Sequence, residues 1–279
     1  MEFLTQNEPQ IRFAAFLSIF AAMAIFEIVL PRRAGAEFKG KKLKGFRWFS
    51  HGSLTILNSL VLRLFFPAAA VGTALYASEA NIGLFNIYDV PWWVAAVVAF
   101  LVLDFAVWLE HLASHKIPLL WRIHRMHHAD TDFDVTTALR FHPLEILLSM
   151  VWKAGIVIAL GAPVAIVLLF EIVLNGMAMF NHSNVKLPLG FDRWLRTLFV
   201  TPDMHRVHHS IVRGETDSNY GFNFSFWDRI FKTYTAQPKA GHEAMKIGLE
   251  YYRDNKPSNI VWLLTLPFKA LPKRPLKKS

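Results

Sequence analysis

A chain of 279 residues that is 53% hydrophobic and only 18% charged, with several apolar runs of about 20 residues, is expected to be a membrane protein rather than a soluble domain. Its mean hydropathy of +0.30 points the same way. The net charge of +9 comes from basic residues beside the apolar runs and in the C-terminal tail, which suits anionic lipid headgroups rather than nucleic acid; the absence of cysteine excludes disulfides, thiolate zinc sites and cysteine-ligated iron–sulfur clusters.

Ile11 to Leu30 is the first apolar run, closed by Pro31 and Arg32, with Glu27 expected at the interface. The start, Met1-Glu2-Phe3-Leu4, lacks a basic n-region, so the run reads as a retained span and not a signal peptide. Arg32, Arg33, Lys39, Lys41, Lys42, Lys44 and Arg47 follow, with Glu37 the only acid, which places this loop in the cytoplasm. Ser53 to Ala77 is the second run, interrupted by Arg63 and Pro67 and expected to be kinked. Ser78 to Asp89 has no Lys or Arg, as an outside loop should. Pro91 opens a third span with Trp92 and Trp93 as interface anchors, and this span delivers His111 to the cytoplasmic side. Leu144 to Phe180 breaks at Leu160-Gly161-Ala162-Pro163 and reads as a hairpin. Lys153 and Glu171 lie nine residues either side of Ala162, so they are predicted to pair across its arms. From Ser183 to about Pro257 the chain is mixed and amphipathic, a cytoplasmic cap. Ile260 to Leu266 is too short to span, and with Lys269, Lys273, Arg274, Lys277 and Lys278 the stretch 258–279 reads as an interfacial segment with a basic tail.

Eight of the twelve histidines fall in two short stretches. His111 and His115 are spaced i and i+4 and share a helix face; His124, His127 and His128, and again His205, His208 and His209, are spaced i, i+3 and i+4. Neutral imidazole is a good ligand for iron, zinc, copper and nickel. Eight imidazoles exceed one metal's need, so two metals with about four histidines each are expected, with positions left open for oxygen or water. The topology, drawn from Lys and Arg alone, brings all of these to the cytoplasmic side. His182, where the hairpin leaves the membrane, is a ninth candidate ligand. His142 is expected to pack in a loop near the site, and His51 and His242 to stand apart from it. Asp104, about two turns before His111, is expected to orient a ligand imidazole. Asp130, Asp132 and Asp134 are expected in a solvated turn. For Asn219, Trp227 and Asp228, support of the site and ordinary loop packing stand level. The fold class that follows is an all-α integral membrane protein: about four transmembrane helices plus an interfacial segment, with a cytoplasmic helical cap holding a di-metal centre.

The order His-x-x-x-His, His-x-x-His-His, His-x-x-His-His resembles the membrane fatty acid hydroxylase and sterol desaturase superfamily. Asn219-Tyr220-Gly221 and Trp227-Asp228-Arg229-Ile230-Phe231-Lys232-Thr233-Tyr234 are similar to that family's ending, with Lys232 where Gly is usual, and Asn181-His182-Ser183-Asn184 resembles its histidine after the hairpin. The resemblance covers residues 94–234, inside what reads as one domain over 1–279. It implies ligand roles for His111, His115, His124, His127, His128, His182, His205, His208 and His209, and two iron ions, which zinc can replace in an isolated sample. It implies oxygen-dependent hydroxylation or desaturation of a lipid substrate (fatty acyl, sterol or ether lipid) with electrons from a separate donor protein or reductase. The location implied is the bacterial inner membrane or the endoplasmic reticulum, with the metal site on the cytoplasmic face. Thr136-Thr137-Ala138-Leu139-Arg140 is similar to the alkylglycerol monooxygenase branch. Lys116 stands where that branch usually has Glu, and its pterin dependence is not carried over.

Two other classes compete. A zinc-dependent membrane hydrolase would be marked by His-Glu-x-x-His, but Glu110 precedes His111 and Leu-Ala-Ser intervenes. A metal-binding transporter or scaffold needs ligands along a path at mid-membrane, whereas these gather on one side.

Overall fold

The structure is a computed structural model that describes residues 6–33, 41–67 and 69–271. Glu37 and Lys39 of the basic loop, and Lys273, Arg274, Lys277 and Lys278 of the basic tail, lie outside the described residues. The long helices are α1 (Glu8–Val29), α2 (Lys41–Phe65), α3 (Ala69–Glu79), α4 (Trp92–Lys116), α5 (Pro118–His128), α6 (Pro143–Leu160) and α7 (Val164–Asn181). Short helices follow, among them α8 (Pro202–His208). Among the described residues only isolated bridges, and no strands, interrupt this helical pattern.

Five helical stretches are long and apolar enough to cross a membrane, the two arms of the hairpin counting separately. α1 buries none of its residues within the protein. Its apolar surface therefore suits hydrocarbon, where a helix satisfies its own backbone groups. The second stretch breaks after Phe65, where Pro67 cannot continue the hydrogen-bond ladder, so α2 and α3 are separate helices. Pro91 caps α4 in an extended conformation. The hairpin turn is built on Gly161, left-handed at φ 63°, after which Pro163 starts α7. Small residues line the contact of α3 and α4 with the hairpin: Ala70, Ala74, Ala96 and Ala99 are buried beside Val157, Val167 and Phe170.

The predicted pair forms, with Lys153 Nζ 2.6 Å from Glu171 Oε1. Arg12 of α1 completes it, 2.9 Å from Glu171 Oε2, so one buried carboxylate ties the first helix to both hairpin arms. Glu27, expected at the interface, is partly buried there. Its Oε1 accepts the backbone N–H of Val135 at 2.7 Å and of Asn184 at 2.6 Å, pinning α1 to the loops that carry the histidines.

α2 starts well before the apolar run, because its first turns bury polar residues. Arg47, placed by sequence in an exposed basic loop, has no solvent exposure. It grips Asp130 through Nε and Nη2 at 2.9 and 2.6 Å, and donates to Asp134 from Nη1 at 2.6 Å. Asp130 and Asp134 are therefore buried, and the expected solvated turn is a closed ion-pair network. Burial opposes ionisation of Asp130, but Arg47 first, then Arg140 and His51, hold its carboxyl well below the usual range. Asp132 beside them is half-buried. The segment Ile260–Thr265 lies over α5, with Leu263 and Leu266 buried against Leu54, Met126 and Ala129, while Val261 faces outward.

Candidate metal centre

α4 and α5 are joined by a single extended residue, Ile117, because Pro118 disfavours a helical conformation before it. That sharp reversal turns the last turns of α4, with His111 and His115, toward α5, with His124, His127 and His128. His182 is the C-terminal cap of α7, and α8 supplies His205 and His208, with His209 as its cap. Thr201 starts α8 by accepting the Met204 N–H, and Pro202 takes the first helical position.

All nine candidate histidines are buried and fall into two adjacent sets. His111, His115, His124, His128 and His208 form one; His127, His182, His205 and His209 form the other, and within each set the possible ligand atoms lie within 4.8 Å of one another. Neighbouring Nε2 atoms are 3.1 Å apart for His115–His128, His124–His128 and His127–His182, and 3.0 Å for His182–His205. The sets abut where the His128 and His209 rings stack at 4.6 Å.

Several of these rings are fixed through Nδ1, which turns Nε2 inward. Nδ1 of His111 donates to the Tyr220 carbonyl at 2.8 Å, that of His127 to Arg140 at 3.2 Å, that of His182 to Ala178 at 2.7 Å and that of His208 to Ser218 at 2.6 Å. His124 Nδ1 instead meets Glu145 Oε1 at 2.6 Å. Burial pushes His127, His128, His205 and His209 far below the ordinary imidazole value, His182 to about 4 and His208 to about 3. The rings are therefore neutral at physiological pH, with lone pairs free to bind a cation. His111 Nε2, His208 Nε2 and both nitrogens of His209 are buried without a hydrogen-bond partner among the described residues. Such orphaned atoms cost on the order of 1–3 kcal/mol each unless something binds them, and a metal ion bound at one nitrogen of a ring would relieve that cost.

The carboxylate that steadies a candidate ligand is Glu145, not Asp104. Asp104 accepts the Trp227 indole N–H at 2.8 Å and touches no imidazole. It sits too early on α4 and points at the returning loop. Glu145 was legible only as an acid in the first turn of a helix, since its partner His124 belongs to another element. Asp228 supports the site at one remove: it accepts the Tyr220 and Gly221 N–H groups at 2.9 and 2.8 Å, and so sets the carbonyl that holds His111. Asn219 ties Met204 of α8 to Thr235. His142 caps α6 and meets the Leu264 carbonyl at 3.2 Å, as a packed loop histidine. His51 lies in neither set, yet it is no bystander, because its Nε2 accepts from Arg140 at 3.0 Å in the network behind His127. His242 is buried 3.5 Å from Asp203. Lys116 pairs with Asp217 at 3.3 Å. A cavity of about 260 Å³ opens beside His124 between α4, α5 and α6.

Comparison with known proteins agrees with this architecture. Residues 96–233 match the fatty acid hydroxylase family profile. The chain is 28% identical over 232 residues to the ornithine lipid hydroxylase OlsE of Rhizobium tropici, covering 80% of this chain and 67% of that protein. It is 30% identical over 221 residues to alkylglycerol monooxygenase of Homo sapiens, covering 78% of this chain but only 46% of that protein. It is 29% identical over 161 residues to the cholesterol 25-hydroxylase-like protein of Danio rerio, covering 57% of this chain and 60% of that protein. No solved structure matches significantly. With its apolar helices, its histidine sets and these relatives, the chain carries a fatty acid hydroxylase domain over residues 96–233.

Proposed function

We propose that this protein is a di-iron lipid hydroxylase of the membrane, with its metal site on the cytoplasmic face. The observation that carries the reading is the division of nine buried, mutually close histidines into sets of five and four. Five and four imidazoles exceed the three protein ligands usual at a catalytic zinc, which weighs against a hydrolase. The relatives named above are hydroxylases or monooxygenases by name, which favours oxygen insertion over desaturation. The positive-inside charge pattern supports the cytoplasmic placement.

His111, His115, His124, His128 and His208 would hold one ion, and His127, His182, His205 and His209 the other. Bound iron would supply the activation of oxygen needed to attack an unreactive C–H bond. The chain's own part is positioning and exclusion. Backbone carbonyls and Glu145 lock the imidazoles, and the packed cap keeps bulk water from the site. Arg140 holds the α5 register by donating to the Met126 carbonyl at 2.8 Å while its own carbonyl fixes His127. Hydroxylation consumes one O2, two electrons and two protons per lipid and releases one water, so a separate electron-donor protein completes the system. Metal analysis after expression in iron-rich medium tests the reading. Two irons per chain are expected; one zinc, with hydrolysis of a lipid ester, would favour the hydrolase.

A further inference from the structure

The cavity beside His124 has walls of Leu109, Leu120, Ile123, Leu148 and Trp152, and its polar lining includes Glu110 and Glu145. Its volume of about 260 Å³ is just below the common range for small-molecule sites and accommodates a polar group with several methylenes. Leu148 and Trp152 are also 48% and 40% exposed on the outer surface of the helix bundle, so the cavity opens sideways, where lipid lies. Its two carboxylates are unusual in such a place. Among the described residues neither ion-pairs with an arginine or lysine; Lys153, the nearest lysine on α6, is taken by Glu171. Among the described residues the Glu110 side chain receives the Ser149 hydroxyl alone, at 3.1 Å. Glu145 spends Oε1 on His124, and its Oε2 is buried with no hydrogen-bond partner.

Resting on the hydroxylase reading, we propose that this cavity is the subsite that anchors the substrate by a hydrogen-bond-donating group, an ammonium or a hydroxyl, on a long-chain lipid. Glu145 Oε2 is a buried acceptor oxygen without a donor among the described residues, so the lining is completed by a hydrogen-bond donor rather than by a carboxylate or phosphate, which brings only further acceptors. The apolar walls take the methylenes next to that group, and the open side lets the lipid enter from the bilayer. Because Glu145 also holds His124, a group anchored on its other oxygen is linked to the five-histidine set through that one carboxylate. The anchor thereby sets which stretch of the lipid lies against the histidines.

Equilibrium binding of radiolabelled hexadecylamine, hexadecanol and hexadecanoate to the metal-loaded protein in phosphatidylcholine nanodiscs tests this. The amine and the alcohol are expected to bind saturably, and the carboxylate at least about tenfold more weakly. Leu148→Trp, which fills the cavity, is expected to weaken both donors about tenfold or more with metal content unchanged. Glu110→Leu, which removes the acceptor oxygens of that wall, is expected to weaken both donors. Equal binding of the carboxylate, or donor binding indifferent to both substitutions, overturns the proposal. Oxygen uptake on a lipid extract separates the two claims. Donor-selective binding without oxygen uptake sinks the hydroxylase reading and leaves the subsite standing; oxidation unaffected by Leu148→Trp sinks the subsite alone.

Discussion

At the scale of single residues, the site depends on groups that hold the histidines as much as on the histidines themselves. Among the described residues Glu145 gives His124 the one carboxylate partner at hydrogen-bonding distance, where the other fixed rings use carbonyls. Glu145→Ala is expected to lower metal affinity by about 10–100-fold with the helical content unchanged, measured by competition with a chelator. Full affinity in that variant would show the contact to be incidental. Arg47 is the residue on which the loop after α5 closes. Removing one partner of a buried ion pair costs about 3–5 kcal/mol, so Arg47→Met should lower the unfolding temperature sharply. The sequence hid this role because Asp130 and Asp134 are 83 and 87 positions away, and a basic residue in a basic stretch reads as a topology signal. Asp104 misled for the same reason: its indole partner lies 123 positions on.

At the scale of elements, the helices were the legible part. Apolar length gave the spans, Pro67 the break between α2 and α3, Gly161 and Pro163 the hairpin, and the i, i+3, i+4 spacing the histidine faces. Local pattern sufficed there because helices are built from near neighbours. The start of α2 was not legible, since its first turns are polar and are buried by distant partners. The ending Asn219–Tyr234 holds two non-glycine residues in the left-handed region, Asn219, a type that tolerates it, and Lys232, which does not. Lys232, where the family usually has glycine, sits in the left-handed region at φ 58° and is exposed. A side chain there costs about 1–2 kcal/mol, partly offset by the entropy glycine loses on folding. Lys232→Gly is therefore expected to stabilise the protein by about 0.5–1 kcal/mol without changing metal content, read from the melting temperature. A destabilised variant would contradict that account of the turn.

At the scale of the whole molecule, apolar helices form a base and buried polar networks form the cap around the histidines. The neutral, buried imidazoles give the metal-free protein a pH dependence of known sign. His182 and His208 have folded values of about 4 and about 3, against about 6.5 when unfolded. Between those limits the unfolded chain binds more protons, so stability falls as pH drops from about 6.5 toward about 4. Melting of the chelated protein at neutral and mildly acidic pH checks this, and an unchanged or higher melting temperature in acid would contradict it. Bound metal should oppose the loss, because it competes with protons for the same nitrogens. The central claim is that the two histidine sets insert oxygen into a lipid. The most direct test supplies iron-loaded protein with a cell lipid extract, a chemical reductant and isotopically labelled O2, followed by mass spectrometry of the lipids. A lipid carrying one labelled oxygen atom, formed by the wild type and absent with His127→Ala, is the predicted result. Unlabelled products, or the same labelled product from His127→Ala, would contradict it.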